Sequence, residues 1–449
     1  PNPEVYMLPR LLRSLCIAMV AFIPATAHAQ TMREALAELF VFGGGDDPLF
    51  LVGTAGQAAT EVHGGHFIPA SSEANNAVLQ FFTTSIASNI ANFPLGSTVA
   101  SQTVKFVGGV PVATSRSFGP IFAERAQTIG RGRLNAGLNY SRIRFRDIRG
   151  IALNDVRLNF VHQNSDFEGC DATFGGDCTL YGVPQFENDL MALSLDLSFD
   201  ADVFALFGTF GITDWLDLSL AIPLIDMSMR GTSVVTMTPS TDPAFHFFGG
   251  TQAAPELQAE SQVFDDATGI GDIAGRLKAL VASGENWGLG LLVEGRAPTG
   301  NEEDFLGTGE WSAGGLAIVS GTFSDFSPHA NVGYQYRAGE FDQDIVKVIA
   351  GFDHRLAGWA TLAADFLGAF PVGEQKLTFP ELVEYEAPFV RSVEATNIPN
   401  TRDNLLDASL GFKFQTKGGL LIITNVLVPL NSGGLRADWI PTLGIEYTL

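Results

Sequence analysis

The sequence is poor in positive charge and, after its N-terminus, in long apolar runs. Its 449 residues include 26 Lys and Arg against 49 Asp and Glu, and the formal net charge is −23 at pH 7. Because nucleic-acid binding depends on Lys and Arg at phosphate groups, we expect no nucleic-acid partner. A membrane-spanning helix needs about 20 mostly apolar residues. The longest apolar stretch after residue 29, at 418–430, is shorter and contains Thr424 and Asn425. The sequence therefore excludes helical spans in this part of the chain.

Cysteine is also scarce, with three residues in the whole chain. Cys170 and Cys178 flank a short segment that contains Gly175 and Gly176. Such a loop closes easily, and an oxidising compartment favours a disulfide between the two thiols. The pair His63 and His66, with Glu61 nearby, could begin a metal site, but no third ligand is evident. We therefore predict a Cys170–Cys178 disulfide, no metal and no cofactor.

Residues 1–29 have the layout of a secretory signal peptide. Arg10 and Arg13 form a basic region after Met7, residues 15–23 are apolar, and residues 27–29 (AHA) match a small-x-small cleavage site. The apolar part is too short to span a bilayer as a helix. The alternative is a signal anchor that stays attached. The pattern predicts an exported protein that begins at about residue 30.

Period-2 alternation of apolar and polar residues recurs from residue 130 to the end of the chain. On one segment, Leu216, Leu218, Leu220, Ile222 and Leu224 alternate with Asp217, Ser219, Ala221 and Pro223. Residues two apart share one face of a strand. One face is therefore apolar, and the other carries glycine and charges of both signs, as in a barrel with lipid outside and water inside. A soluble β-sandwich also alternates, but its polar face does not collect charged residues in this way.

The connections between these segments alternate between short and long, as the turns and loops of outer-membrane barrels do. Short turns lie at 213–214, 283–286, 324–326, 355–358 and 416–418, and long connections at 147–188, 228–269, 297–311, 371–402 and 429–438. The fold class predicted is all-β, a membrane-spanning antiparallel β-barrel at 129–449. The count is 12 strands if 189–212 is one long strand, or 14 if 151–163 and 189–199 are separate spans.

The last strand resembles the C-terminal assembly signal of bacterial outer-membrane barrels. Thr442, Gly444, Tyr447 and Leu449 occupy its polar, glycine and two apolar positions. The usual final residue is Phe, and this chain has Leu. The resemblance implies the bacterial outer membrane as location. Its lipid, lipopolysaccharide and the barrel-assembly machinery are the implied partners.

Residues 30–128 form a separate N-terminal extension. Residues 32–42 and 74–92 have helical periodicity, and the second segment follows Ser72-Glu73, a capping signal. Residues 103–107 and 110–114 predict a small hairpin around Gly108-Gly109. The region is too short for a large core of its own. It either fills the barrel lumen as a plug or packs at the barrel mouth.

Charged residues on the polar faces are candidates for the lining of the lumen. They are Arg133, Asp217, Arg276, Lys278, Glu294, Arg296, Arg337, Lys347, Asp353, Asp407 and Lys413. Charges that line a pore determine its selectivity. Because both signs are present, the set predicts a weakly selective polar lumen or a lumen held closed by internal ion pairs.

Several ordered motifs resemble the meta-pathway phenol-degradation family of outer-membrane proteins. They are residues 210–223 (FGITDWLDLSLAIP), 269–272 (GIGD), 294–301 (EGRAPTGN), 306–309 (LGTG) and 327–334 (SPHANVGY). Phe210 stands where the family has Tyr. The resemblance covers about 190–449 and implies a channel or transporter for small, hydrophobic or aromatic molecules.

Two other functions remain open from the sequence. One is a structural or surface-interaction barrel with a filled lumen. The other is an outer-membrane lipid-modifying enzyme, which needs a strand-borne Ser or Thr next to a His at the membrane interface. No histidine lies in a recognisable catalytic motif, so we expect a protein that is not an enzyme.

Overall fold

The computed structural model describes residues 30–42, 49–50, 69–91, 104–107, 110–113, 117–162, 189–240, 242, 244, 246–380, 382–386 and 390–449. The predicted signal peptide, the residues Glu61, His63 and His66, and the predicted disulfide of Cys170 with Cys178 lie outside these residues. All of the elements below belong to one compact unit, Met32–Leu449.

The described chain contains two helices and 24 strands. The helices are α1 (Met32–Glu38) and α2 (Pro69–Ala91). The strands are β1 (Val41–Phe42), β2 (Leu49–Phe50), β3 (Val104–Val107), β4 (Val110–Ala113), β5 (Leu134–Ile148), β6 (Ile151–Ala152), β7 (Val156–His162), β8 (Asp189–Gly211), β9 (Leu216–Thr238), β10 (Gly249–Thr251), β11 (Ala254–Glu256), β12 (Gln258–Ile270), β13 (Ile273–Ser283), β14 (Trp287–Ala297), β15 (Ser312–Gly321), β16 (Phe326–Arg337), β17 (Ile345–Ala357), β18 (Ala360–Pro371), β19 (Leu382–Glu386), β20 (Val390–Glu394), β21 (Leu405–Gln415), β22 (Leu421–Pro429), β23 (Leu435–Ala437) and β24 (Ile440–Thr448). Neither described helix combines the length and hydropathy needed to cross a bilayer.

Twelve strands close into an antiparallel barrel. Around the wall they follow the order β9, β13, β14, β15, β16, β17, β18, β21, β22, β24, β5 and β8, and β8 pairs again with β9. The closing seam joins the last strand to the first, with Leu443 opposite Tyr140. Because β8 is one continuous strand, the prediction of 12 strands is confirmed and the alternative of 14 is wrong. Closure leaves no open sheet edge, as a wall in lipid requires.

The turns divide the barrel into two ends. At the short-turn end lie the turns 212–215, 284–286, 322–325, 358–359 and 416–420; the longer connections form the long-loop end. The predicted long connection 228–269 is only partly a loop. Residues 224–236 of β9 pair with 258–270 of β12, which extends the sheet beyond the barrel at the long-loop end.

An apolar band surrounds the barrel. On β9, Leu218 and Leu220 point outward and are about half exposed, whereas Asp217 and Ser219 point inward and are buried. The outward apolar run from 216 to 224 is about 26 Å long at ~3.3 Å per residue, and at the ~40° strand tilt of outer-membrane barrels it spans about 20 Å of their ~25 Å apolar band. All five tryptophans are more than half exposed: Trp215, Trp287 and Trp359 next to the short turns, and Trp311 and Trp439 near the long loops. They form the aromatic girdles that border lipid.

The alternation inverts where the sheet leaves this band. In β8, Phe204 and Phe210 face outward within the apolar band. Nearer to the long-loop end, Asp196, Asp200 and Asp202 occupy the outward positions. The inward positions there are apolar and buried: Met191, Leu193, Leu195, Leu197 and Phe199. The outer face meets water beyond the lipid, so the apolar side of the strand turns to the interior and forms a core with the helices.

Helix α2 lies inside this apolar core. The helix starts at Pro69, earlier than the predicted 74, and none of its residues from 77 to 90 is exposed. Phe82 packs against Phe199 with ring centroids 5.9 Å apart, and Phe81 packs against Phe379 at 6.1 Å. Each fully buried aromatic side chain contributes roughly 1.5–3 kcal/mol. The apolar residues on which the helix was predicted, Val78, Phe82, Ile86 and Ile90, are buried, and its polar residues Thr84, Ser85, Ser88 and Asn89 are partly buried. The predicted hairpin of β3 and β4 is confirmed.

Candidate functional site

A segment of the N-terminal extension, residues 117–129, crosses the barrel interior at the short-turn end and leads to β5. We call it the lumen segment. Every residue in it except Gln127 is buried. Its backbone amides donate to wall side chains: Phe118 to Thr361 (3.0 Å), Ala126 to Ser320 (3.1 Å) and Ile129 to Asp217 (3.1 Å). The wall strands use their own backbone groups in the barrel ladder, so polar side chains satisfy those of the segment.

Glycines in the wall make room for the lumen segment. A Cβ atom added at Gly290 of β14 would lie 3.0 Å from the Cα atom of Ala126. One added at Gly411 of β21 would lie 2.5 Å from the Cδ1 atom of Ile121. Close packing at these two places explains why the polar, inward face of the wall contains glycine as well as charge.

A buried ion pair joins the lumen segment to the wall. The guanidinium of Arg125 donates to both carboxylate oxygens of Asp353, and the two side chains are 2% and 0% exposed. On the other side of Asp353, Nδ1 of His329 is 3.7 Å away, and Nε2 of His329 is 2.6 Å from the carboxylate of Asp365. Arg125 also donates to the hydroxyl of Ser117, within its own segment. The ion pair therefore attaches Arg125 to the wall, and Arg125 in turn holds the start of the segment at Ser117.

Glu124 is bound to the wall through its backbone and its side chain. Asn331 accepts from the Glu124 amide at 2.8 Å and donates to its carbonyl at 2.9 Å, as a strand neighbour would. The carboxylate lies 3.4 Å from Nζ of Lys278 and 3.9 Å from the guanidinium of Arg276. Lys278 in turn is 4.0 Å from Asp217. This end of the barrel is thus closed by paired charges and not by apolar contact alone.

A cavity of ≈ 290 Å³ lies between the lumen segment and helix α2. Glu124 and Phe122 line it on one side, and Thr84, Ser85 and Ser88 of the helix on the other. Leu292, Ile349 and Leu367 are among the apolar residues of its wall. Ligand sites commonly have volumes of about 300–1,000 Å³, and an engineered cavity of about 150 Å³ binds benzene. The space therefore holds a molecule the size of a substituted aromatic ring.

The eleven predicted lumen residues fall into two groups. Arg276, Glu294, Arg296, Arg337, Lys347 and Asp407 line the cavity. Arg133, Asp217, Lys278, Asp353 and Lys413 lie lower, around the lumen segment or at its junction with the wall. The sequence could not separate the two groups, because both share the inward face of the strands.

Most charges at the cavity are paired. Glu294 accepts from Nε of Arg276 at 2.5 Å through one oxygen and from Nε of Arg296 at 2.9 Å through the other. Arg337 lies 2.7 Å from Asp342, and Arg436 lies 2.5 Å from Asp407. Sequence reasoning missed Glu124, Arg125, Asp342 and Arg436. Two adjacent opposite charges within the apolar residues 118–126 are the signal that could have identified the first two.

The GIGD, PTG and LGTG motifs form one junction around the buried Asp272 at the long-loop end. Asp272 accepts from the amide of Gly300 at 3.1 Å and from the amide and hydroxyl of Thr308, both at 3.0 Å. Thr299 donates to the carbonyl of Gly271 at 2.7 Å. The motifs therefore fix the 298–311 loop onto the start of β13 and have a structural role.

The predicted assembly signal lies on the closing strand. Thr442 and Gly444 face inward, and Tyr447 and Leu449 face outward. Leu449 and Leu134 exchange two backbone hydrogen bonds of 2.7 and 3.2 Å, so the final residue takes part in barrel closure. Its recognition by the assembly machinery stays a prediction.

Known structures similar to this chain include bacterial outer-membrane channels. An outer-membrane channel from Pseudomonas putida F1 is 11% identical, with a TM-score of 0.40, and the match covers 72% of this chain and 98% of that one. The toluene transporter TbuX from Ralstonia pickettii is 12% identical, with a TM-score of 0.27 and coverage of 80% and 99%. A search of curated proteins finds no match to the chain.

A family model matches the central part of the chain. It is described as "Putative MetA-pathway of phenol degradation" and covers residues 192–361. All five motifs that suggested this family lie within the matched range. The match therefore confirms, from β8 to β17, the resemblance to this family that the sequence motifs predicted.

Proposed function

We propose that the protein is an outer-membrane channel for small hydrophobic or aromatic molecules, with the lumen segment as its plug. The observation that carries the proposal is the cavity of ≈ 290 Å³ inside a closed barrel, bounded at one end by the lumen segment and at the other by helix α2. A molecule held there has lipid-facing wall around it and one closure on either side along the barrel axis.

The orientation follows from the connections. Short turns lie at the periplasm and long loops outside in outer-membrane barrels, which puts the lumen segment at the periplasmic exit. The apolar core around α2 then faces the cell exterior. A hydrophobic molecule would meet apolar residues first and polar, paired charges at the exit.

The lumen segment has the construction of a removable closure. It is a single chain segment without a sheet partner, and side-chain hydrogen bonds and the ion pairs of Arg125 and Glu124 hold it to the wall. Such bonds exchange readily for bonds with water, whereas the wall ladder does not. Movement of residues 117–129 alone would connect the cavity to the periplasm.

A reversible cross-link tests the plug. The hydroxyls of Ser117 and Ser327 are 3.3 Å apart, so cysteines at these two positions would bring their sulfur atoms together. The double variant Ser117→Cys/Ser327→Cys, in a Cys170→Ser/Cys178→Ser background, would be refolded and studied in planar bilayers. We expect openings under reducing conditions and none after oxidation.

The matched control is a cross-link between two wall strands. The side-chain oxygens of Thr209 and Ser219 are 2.9 Å apart in the β8–β9 hairpin, and both belong to the wall, so their cross-link does not tether the lumen segment. The variant Thr209→Cys/Ser219→Cys should conduct equally in both redox states. Openings that persist in the oxidised Ser117–Ser327 variant would show that the segment is not the gate. Silence of the wild-type and of both reduced variants would refute an aqueous channel.

A second candidate is a structural barrel with a permanently filled lumen. The burial of the Arg125–Asp353 pair favours it, because breaking a buried pair is costly. It predicts silence in every redox state and full protection of the lumen segment from hydrogen exchange. The cleaved signal peptide, the Cys170–Cys178 disulfide and the lipopolysaccharide contacts belong to the proposal as predictions.

A further inference from the structure

Lys347 is a cation of the cavity wall that has no carboxylate partner of its own among the described residues. It projects inward from the middle of β17 and lines the cavity. The charged side chains that surround its ammonium are one carboxylate, Glu294, and three guanidinium groups, Arg276, Arg296 and Arg337. Both oxygens of Glu294 already accept from Arg276 and Arg296. The surroundings of Lys347 are therefore cationic.

The wall beside Lys347 is built from small residues. Its cross-strand neighbours are Gly333 on β16 and Ala369 on β18. Neither has a side chain larger than a methyl group; the Leu316 side chain lies over Gly333, and both Leu316 and Ala369 line the cavity. Leu292, Ile349 and Leu367 border the same space with apolar surface. A cation, an empty volume and an apolar wall thus meet at one place.

An ammonium in a cavity is stabilised by an anion, and the one carboxylate near Lys347, that of Glu294, is already bonded to Arg276 and Arg296. We infer that the cavity binds a monoanion with a compact apolar body, an aromatic or short aliphatic carboxylate, whose carboxylate is received by Lys347. The apolar body would lie against Leu292, Ile349 and Leu367. This inference deepens the proposed function and rests on it for the route by which the molecule reaches the cavity.

Equilibrium binding to the refolded full mature chain in non-ionic detergent tests the site. The probes are benzoate, which is ionised at pH 7.5, and benzyl alcohol, which is neutral and of similar shape, both measured by calorimetry. We expect benzoate to bind the wild-type protein about tenfold more tightly, which is about 1.4 kcal/mol. Lys347→Met should abolish this preference and leave the affinity for benzyl alcohol unchanged.

Two further variants make the result specific. Lys347→Arg keeps the charge and should keep the preference for benzoate. Lys417→Met, in an exposed turn at the other end of the barrel, is the matched loss of a lysine and should bind both probes like the wild type. Equal affinities of the wild type for the two probes, no binding of either, or a benzoate affinity that survives Lys347→Met would each overturn the inference.

The binding and bilayer experiments fail independently. Lys347-dependent benzoate binding in a protein that never conducts would leave the site in place and remove the channel. Redox-gated conductance without any preference for benzoate would leave the channel in place and remove the anion site.

Discussion

Arg125 and Asp353 form a buried ion pair that ties the lumen segment to strand β17. The two residues are 228 positions apart in the chain, and one belongs to the N-terminal extension while the other belongs to the barrel wall. The pair lies beside His329, which bonds to Asp365. Its energetics decide how firmly the short-turn end of the barrel is closed.

Removal of one partner of this pair should be more damaging than removal of both. Arg125→Met leaves the Asp353 carboxylate buried, at a cost of about 3–5 kcal/mol, whereas Arg125→Met/Asp353→Asn leaves no unpaired charge. We expect the double variant to recover at least half of the lost unfolding free energy in urea. If the losses of unfolding free energy in Arg125→Met and Asp353→Asn simply add up in the double variant, the two residues are not coupled. Both variants should also open more often in bilayers.

A larger residue at Gly290 should displace the lumen segment. Gly290→Val places methyl groups where the backbone of Ala126 now lies, and overpacking of this kind costs about 1–3 kcal/mol. We expect longer openings in bilayers and faster hydrogen exchange at residues 117–129. The control is Gly295→Val on the same strand, where an added Cβ meets nothing within 4 Å. Equal exchange in the two variants would contradict the contact.

The Asp272 carboxylate should hold the 298–311 loop in place. Asp272→Ala leaves the donors of Gly300 and Thr308 without their acceptor, and a hydrogen bond to a charged group contributes about 1.5–3 kcal/mol. We expect faster cleavage at Glu302, Glu303 or Glu310 by a glutamate-specific protease. Asp438→Ala is the control. The Asp438 side chain is exposed, and its ion pair with Arg146 is long, at 3.8 Å. Unchanged cleavage in Asp272→Ala would contradict the structural role of the motif.

Asp342 should make stability depend on pH. It lies in the 338–344 connection, outside the membrane-spanning strands, and burial raises its pKa although Arg337 and Lys376 oppose the effect. When the folded pKa is above the unfolded one, the protonated carboxyl favours the fold. This contribution is full below the unfolded pKa, about 3.9, and is lost as the pH rises through the raised value.

Asp342→Asn cannot ionise and should escape this loss. The unfolding free energy of the variant relative to wild type should therefore increase as the pH rises from about 4 to neutral. Urea unfolding followed by tryptophan fluorescence at several pH values measures the difference. Asp438→Asn, an exposed aspartate at the same end of the barrel, is the control. A difference between Asp342→Asn and wild type that does not change with pH would refute the prediction.

The local sequence pattern predicted the barrel because every strand that crosses lipid has apolar residues on its outer face. The run Leu216 to Leu224 alternates with Asp217 and Ser219, and the structure has the leucines outside and the polar residues inside. The pattern left 12 and 14 strands open, and the structure decided between them, because residues 189–211 form one strand. The sequence shows that the apolar residues of this strand change faces near Val203. It does not show that the strand leaves the lipid there.

The sequence by itself determined which residues face lipid, since backbone pairing and a period of two settle that strand by strand. Only the tertiary structure decided what fills the inside. Arg125 contacts Asp353, and helix α2 is enclosed by the extended sheet. The two oxygens of Glu294 accept hydrogen bonds from Arg276 and Arg296. These contacts join residues far apart in the chain, and a face assignment says only that a side chain points inward, not which partner it meets there.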